Sequence, residues 1–217
     1  DYKVYLSSKV KGTVHYFGLR STEGLGRIEN KGLDGWRIEW KGLTLDFALP
    51  GKHNLLNACA SLSMAILLDL DPILAVQGLS KVQPLFGRSQ LCKGKITVFQ
   101  DYYNANPNSM AAAIDFLSGI SSTNRKVLIL GSMLELGKES DNAHRDVGFM
   151  VAEMKPEAVF LFGEEMKAAE AALKEAAFRG VLMHTTDMGN LIDTVSSYVR
   201  EGDLVLIKGS RSMALER

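Results

Sequence analysis

A handful of polar residues in this sequence stand in patterns that can do chemistry. Asp101 closes the apolar run Ile96–Phe99 with only Gln100 between. A carboxylate there can accept hydrogen bonds from the vicinal hydroxyls of a ribose, or it can cap the turn that follows. Asn104 and Asn106 flank Ala105 ahead of Pro107, where turn chemistry is the plain reading, because asparagine suits left-handed backbone and Asx turns. In Gly51-Lys52-His53-Asn54-Leu55-Leu56-Asn57 the two asparagines are three apart and share a helix face. Asn54 can cap that helix. Asn57 is harder to place in an apolar helix, since an unsatisfied buried carboxamide costs roughly 1–3 kcal/mol. Its paired donor and acceptor match the edge of an adenine. His53 reads as a structural hydrogen-bonder, because no second metal ligand follows three or four residues on. Arg88, after Gly87, offers a planar fork to a phosphate, or an inter-domain salt bridge. Lys208 and Arg211 can hold a carboxylate or phosphate, or form a solvated basic end. His144, three residues after Asp141 at a predicted helix start, reads as structural.

The elements that must position these groups follow from hydrophobic rhythm. From Ile96 onward, apolar strand candidates at Ile96–Phe99, Val127–Leu130, Ala158–Phe162, Val181–His184 and Leu204–Ile207 alternate with helices. The helices are predicted over Ser109–Leu117, Asn142–Met154, Glu164–Phe178 and Asn190–Val199. This alternation predicts an α/β fold with a Rossmann-like, mostly parallel sheet. Ligands of such sheets bind beyond the carboxyl ends of the strands. Four of the five predicted ends carry small or polar residues, including Gly131, Gly163 and Gly209, the kind a ligand edge needs.

The first part of the chain differs in texture. Trp36, Ile38 and Trp40, then Leu43, Leu45 and Phe47, alternate with polar residues around Lys41-Gly42, which predicts an antiparallel hairpin. Val4–Leu6 and Thr13–Phe17 are expected as further strands. The run Asn54–Leu68 is apolar all round, which predicts a buried helix, and Pro72 opens a second helix over Ile73–Lys81. Pro84 and Gly87 interrupt both textures, so a boundary is expected near Phe86-Gly87-Arg88, with domains over 1–88 and 89–217.

Composition narrows the classes. The 217 residues carry 25 Lys+Arg and 25 Asp+Glu, and 46% are hydrophobic. That excludes a disordered chain and argues against a generic nucleic-acid binder. No apolar stretch reaches the roughly 18 residues of a spanning helix, so no membrane insertion is expected. Two cysteines without metal spacing read as a reduced, intracellular protein. The phosphate loop G-x-x-x-x-G-K-[ST], G-x-G-x-x-G, zinc spacing and the G-x-S-x-G elbow are all absent. The chain opens at Asp1, which points to an internal piece of something longer.

In order along the chain stand Gly51-x-His53-Asn54-x-x-Asn57-Ala58, Gly87-Arg88, Asp101-x-Tyr103-Asn104-Ala105-Asn106-Pro107-x-Ser109-Met110, Leu130-Gly131-x-Met133-x-Glu135-Leu136-Gly137, His144-x-x-Val147-Gly148 and Lys208-Gly209-Ser210-Arg211-x-Met213. This set resembles the Mur ligases over about Pro50 to Arg217. The Tyr-Asn-Ala-Asn-Pro and Met-x-Glu-Leu-Gly stretches point to the branch that adds D-alanyl-D-alanine to UDP-N-acetylmuramoyl-tripeptide in peptidoglycan synthesis. The resemblance implies a cytoplasmic ATP-dependent ligase working through an acyl phosphate. It implies that this chain is the tail of the central, phosphate-loop domain plus most of the C-terminal Rossmann-like domain. The N-terminal and central portions carrying the phosphate loop and the Mg2+ ligands would lie upstream, so the piece alone is expected to be inactive and to hold no metal.

The same resemblance implies site roles. Asn57 would meet the adenine, with Asn54 supporting it. Arg88 would contact phosphate or ribose, Asp101 the ribose hydroxyls, and Tyr103, Asn104 and Asn106 the nucleotide–dipeptide side. Ser210 and Arg211 would meet the dipeptide carboxylate. The chain departs from the family at Gln100, where the first of an acidic pair is usual, at Tyr102 in place of a small hydroxyl residue, and at Ser132 in place of aspartate. A Mur-type ligase for another amino acid and a non-catalytic α/β binding module are the alternatives.

Overall fold

The computed structural model describes residues 2–121 and 124–217. The chain divides into two compact units, one up to Val82 and one from Gln83. Among the described residues no helix is long and apolar enough to cross a membrane.

The first unit opens with helix α1 (Tyr2–Lys9) and builds a three-stranded antiparallel sheet from β1 (Leu25–Asn30), β2 (Trp36–Trp40) and β3 (Leu43–Phe47). The predicted hairpin is β2–β3, with Trp36 opposite Phe47 and Trp40 opposite Leu43. Its turn holds Lys41 at φ 48° and Gly42 at φ 77°, two left-handed residues of the kind tight hairpins require. Helices α2 (Lys52–Leu67) and α3 (Pro72–Ser80) complete the unit. Ile38, Trp40, Leu45 and Phe47 form its core with Leu55, Ala58, Leu62 and Val76. Asp71 caps α3, accepting the Ile73 N–H at 2.7 Å, with Pro72 in the first turn.

Three expectations for this unit are corrected. Val4–Leu6 lies in helix α1 and not in a strand, and residues 13–17 form no strand. A strand needs a neighbour to pair with, whereas a helix satisfies its backbone locally. The strand β1 was not anticipated, because Leu25-Gly26-Arg27-Ile28 lacks alternation and its register shifts between Leu25 and Ile28. Helix α2 is not buried all round. Leu55, Ala58 and Leu62 pack inward, while Met64 and Leu67 remain 53% and 45% exposed. Uniformly apolar composition does not tell which face finds a partner.

The second unit is a six-stranded sheet in the order β4-β5-β9-β6-β7-β8. Its strands are β4 (Gln90–Cys92), β5 (Thr97–Asp101), β6 (Lys126–Gly131), β7 (Ala158–Phe162), β8 (Val181–Thr185) and β9 (Leu204–Lys208). All pairs are parallel except β4–β5. The helices are α4 (Pro107–Ser118), α5 (Ser140–Met154), α6 (Lys167–Glu175) and α7 (Met188–Tyr198). Strand side chains alternate between faces. Val127, Ile129, Ala158, Phe160 and Val205 face Leu191 of α7. Phe99, on the opposite face, meets Phe116 of α4 with ring centroids 5.3 Å apart. Leu128, Leu130, Val159 and Leu161 are equally buried, so both faces of the sheet are covered.

Candidate functional site

The carboxyl ends of β5 and β9 lie side by side, and Asp101 is the register partner of Lys208. Their side chains therefore share a face. The Lys208 ammonium, 1% exposed, donates to Asp101 Oδ2 at 2.5 Å and to the carbonyls of Asp101 and Asn104 at 3.4 and 3.3 Å. The other carboxylate oxygen, Oδ1, accepts the Ser89 N–H at 3.0 Å. A carboxylate has about four lone-pair sites. Among the described residues one is taken by lysine and one by an amide, which leaves two for hydroxyl donors, and the side chain is 18% exposed.

Gly87 makes that arrangement possible. It stands at φ +62°, and a Cβ there would lie 2.8 Å from the Tyr102 ring. Its carbonyl accepts the Tyr103 N–H at 2.9 Å, which lays the Gly87-Arg88-Ser89 segment over the end of β5. Gly87→Ala is expected to cost roughly 2 kcal/mol, combining left-handed backbone strain with a clash against a ring that cannot swing away. Tyr102 is 4% exposed, and a thermal melt of the variant checks the figure. The departure at Tyr102 thus has a packing reason: its ring fills the space over Gly87 and meets Phe86 edge-on at 5.7 Å. Burial pushes its phenol above the usual value.

Arg88 is exposed, with its guanidinium over the Tyr103 ring, 4.2 Å from the centroid. Such a contact contributes about 0.5–1 kcal/mol at an exposed site, and it engages the guanidinium face while the N–H donors lie in the plane. Asn104 is exposed, and its Oδ1 accepts the Ala105 N–H at 2.9 Å. Asn106 is the N-cap of α4 in a reciprocal capping box with Ser109: its Oδ1 accepts the Ser109 N–H at 2.8 Å. Its carbonyl oxygen is therefore spent on turn chemistry. Arg88, Asp101, Tyr103 and Asn104 are brought together around the end of β5.

The remaining strand ends serve packing. A Cβ on Gly209 would lie 2.8 Å from Leu215, one on Gly131 3.1 Å from Leu215 and Met213, and one on Gly163 closest to the Ser132 side chain, with Met213 at 3.2 Å. Gly131 and Gly209 make room for Met213 and Leu215 at the ends of β6 and β9, and Gly163 makes room for Ser132 and Met213 at the end of β7. The expectation of a ligand edge along four strand ends is corrected accordingly. Ser210 is buried, its Oγ accepting the Leu134 N–H at 2.9 Å and its N–H reaching the Ser132 carbonyl. Ser132 is fully buried within the same loop contact. Arg211 is half exposed, pairs with Glu216 at 2.6 Å and lies over the Phe86 ring. A backbone hydrogen bond, then Arg211, holds the Glu216 carboxyl below the usual carboxylate range.

His144, fully buried, steadies the loop after β6. Its Nε2 accepts the Met133 N–H at 3.0 Å, so Nδ1 carries the proton and donates to the Ser140 carbonyl at 2.7 Å. One obligatory donor and one obligatory acceptor fix a single neutral tautomer.

In the first unit, Asn54 is buried at the third helical position and is not the cap; Gly51 holds that place. The Asn54 Nδ2 donates to the Pro50 carbonyl at 2.8 Å, and its Oδ1 accepts from Asn57 Nδ2 at 3.4 Å. Asn57 itself is exposed, so the premise of a buried carboxamide is corrected. Asn54 thus orients Asn57 on the open face of α2.

Sequence reasoning missed the Asp101–Lys208 pair and the Ser89 amide. The available signal was that two otherwise apolar strands each end on one charge of opposite sign. Among the described residues no group of three or more His, Cys, Asp or Glu side chains could hold a metal ion.

The family model described as "Mur ligase, glutamate ligase domain" matches residues 87–211. The UDP-N-acetylmuramoyl-tripeptide–D-alanyl-D-alanine ligase of Treponema pallidum is 36% identical over 216 residues, 100% of this chain and 47% of that protein. A crystal structure of MurF from Acinetobacter baumannii matches with TM-score 0.76 and 26% identity, over 92% of this chain and 44% of that one. The fold is also shared with MurF ligase from Thermotoga maritima in complex with ADP, at TM-score 0.68 and 21% identity over 88% of this chain and 44% of that one. The chain spans about half the length of the curated relatives it matches. The matched region runs from the glycine laid over β5, through the Asp101–Lys208 pair, to Arg211, and with that match over more than half its length the chain belongs to the Mur ligase family.

Proposed function

We propose that this chain is the nucleotide-closing and dipeptide-delivering part of an ATP-dependent ligase that joins D-alanyl-D-alanine to UDP-N-acetylmuramoyl-tripeptide. The observation that carries the reading is the end of β5, where Asp101 keeps two lone-pair sites open beside the Arg88–Tyr103 stack. The named relatives support the choice of substrates, and the ADP complex of the Thermotoga protein supports the choice of nucleotide.

In this reading Asp101 accepts the ribose hydroxyls, Arg88 meets phosphate or ribose, and Tyr103 and Asn104 line the same edge. Asn57, oriented by Asn54, offers its carboxamide to the adenine. Asn106, Ser210 and Arg211 act toward the dipeptide, the first two through the turns they hold and Arg211 through its guanidinium. ATP supplies the phosphoryl group that turns the tripeptide carboxylate into an acyl phosphate. The dipeptide amine then attacks the acyl carbon, an amide bond forms and phosphate leaves with the C–O bonding pair. An exposed acyl phosphate hydrolyses, so the task of this chain is to exclude water and fix the amine. Closure of a mobile part over the reactants is the usual means.

The test is ligation by the full-length protein. Formation of ADP and amide product with D-alanyl-D-alanine is expected, and not with lysine, diaminopimelate or D-glutamate. Preference for one of those amino acids would reassign the substrate within the family. The 217-residue chain alone is expected to give no ATP-dependent ligation, because it has no phosphate loop. Turnover by it would overturn the division of labour proposed here.

A further inference from the structure

A buried lysine that belongs to no ligand-facing surface needs a reason. Lys208 is among the largest fully buried side chains of the chain. Removing an ammonium from water is costly, and a buried ion pair is often no more stabilising than an apolar pair of the same volume. Stability alone therefore does not account for it. Its three N–H donors meet three acceptors: Asp101 Oδ2, the Asp101 carbonyl and the Asn104 carbonyl. The first fixes the rotamer of the partly exposed Asp101 carboxylate at the strand end. The other two tie that carboxylate to the turn carrying Tyr103 and Asn104.

We propose that Lys208 is a positioning residue for nucleotide recognition: it aims the free edge of Asp101 at the ribose hydroxyls without touching the nucleotide. The inference rests on the ribose role given to Asp101 above. A carboxylate held by lysine on one oxygen and by the Ser89 amide on the other cannot rotate, so its remaining lone pairs point one way. Without the lysine, the carboxylate is free to turn, and the turn at Asn104 loses a tether.

The experiment compares ATP with 2′,3′-dideoxy-ATP, which lacks both hydroxyls, for binding to the full-length protein. The variants are Asp101→Asn, Lys208→Met and the double variant. The wild type is expected to prefer ATP by about tenfold or more, as hydrogen bonds to a charged group imply. Asp101→Asn and Lys208→Met are each expected to remove most of that preference and leave dideoxy-ATP affinity within about twofold; the double variant should lose no more than either. If Asp101→Asn abolishes the preference and Lys208→Met keeps it, the lysine has no positioning role while the ribose contact stands. If Lys208→Met weakens both nucleotides equally, the lysine supports the fold only and the inference fails. If the wild type shows no preference, or Asp101→Asn leaves it unchanged, the ribose reading itself fails. Should Lys208→Met not fold, Lys208→Gln, which keeps a donor but loses the charge, provides the same comparison.

Discussion

Asp101→Ala is expected to destabilise the second unit by roughly 3–5 kcal/mol, the cost of stranding a buried charge. The substitution removes the one carboxylate that the Lys208 ammonium meets among the described residues, and that ammonium is 1% exposed. It also leaves the Ser89 N–H without its acceptor. Lys208→Met in the same chain should restore most of the loss, because the double variant no longer buries an unpaired charge. Denaturant unfolding of the two variants measures both effects. A loss below about 1 kcal/mol in the single variant would mean that the pair is solvated after all. Loss of nucleotide binding in Asp101→Ala would therefore mix two causes, which is why Asp101→Asn is the better probe of the ribose contact.

Gly148→Ala carries the second large effect. Gly148 lies in α5 where α6 approaches, and a Cβ there would stand 2.5 Å from the Ala169 carbonyl oxygen and 2.7 Å from the Ala172 Cβ. Alanine is the better helix former by about 1 kcal/mol. Here that gain is outweighed, because the obstacle is backbone and α6 must move; overpacking of this kind costs roughly 1–3 kcal/mol, occasionally more. The expected result is a lower melting temperature for the second unit, with Gly148→Val worse. Gly78 in α3 is the control. Nothing lies within 4 Å of its added Cβ, so Gly78→Ala should stabilise the first unit by roughly 0.5–1 kcal/mol. Equal signs at the two positions would refute the packing argument.

The fold of the second unit was legible in sequence to within a few residues. Every strand predicted after Ile96 is present, because strands buried on both faces read as unbroken apolar runs. The helix predicted over Glu164–Phe178 is shorter, a turn at Glu164–Met166 followed by α6. The short antiparallel β4 was not legible, since three residues carry no period. In the first unit, Trp36 to Phe47 announced its hairpin by strict alternation, whereas β1 and α1 did not announce themselves. Asp101 and Arg88 were found from their types and places. What they touch was not legible: strand order decides that Lys208 stands beside Asp101, and the two are 107 residues apart in sequence. The glycines misled for a related reason. A small residue at a strand end marks close approach, and only the structure shows whether a ligand or Leu215 approaches.

The order β5-β9-β6 puts the last strand of the chain in the middle of its sheet. During synthesis on the ribosome, β5 and β6 therefore emerge with their facing edges unpaired, and no local rearrangement joins them. The unit cannot complete its hydrogen bonding until Leu204–Lys208 has left the exit tunnel. The Asp101–Lys208 pair forms in that same final step, so a nascent chain fixes the geometry of the Asp101 carboxylate only when nearly all of the sheet's sequence has been translated.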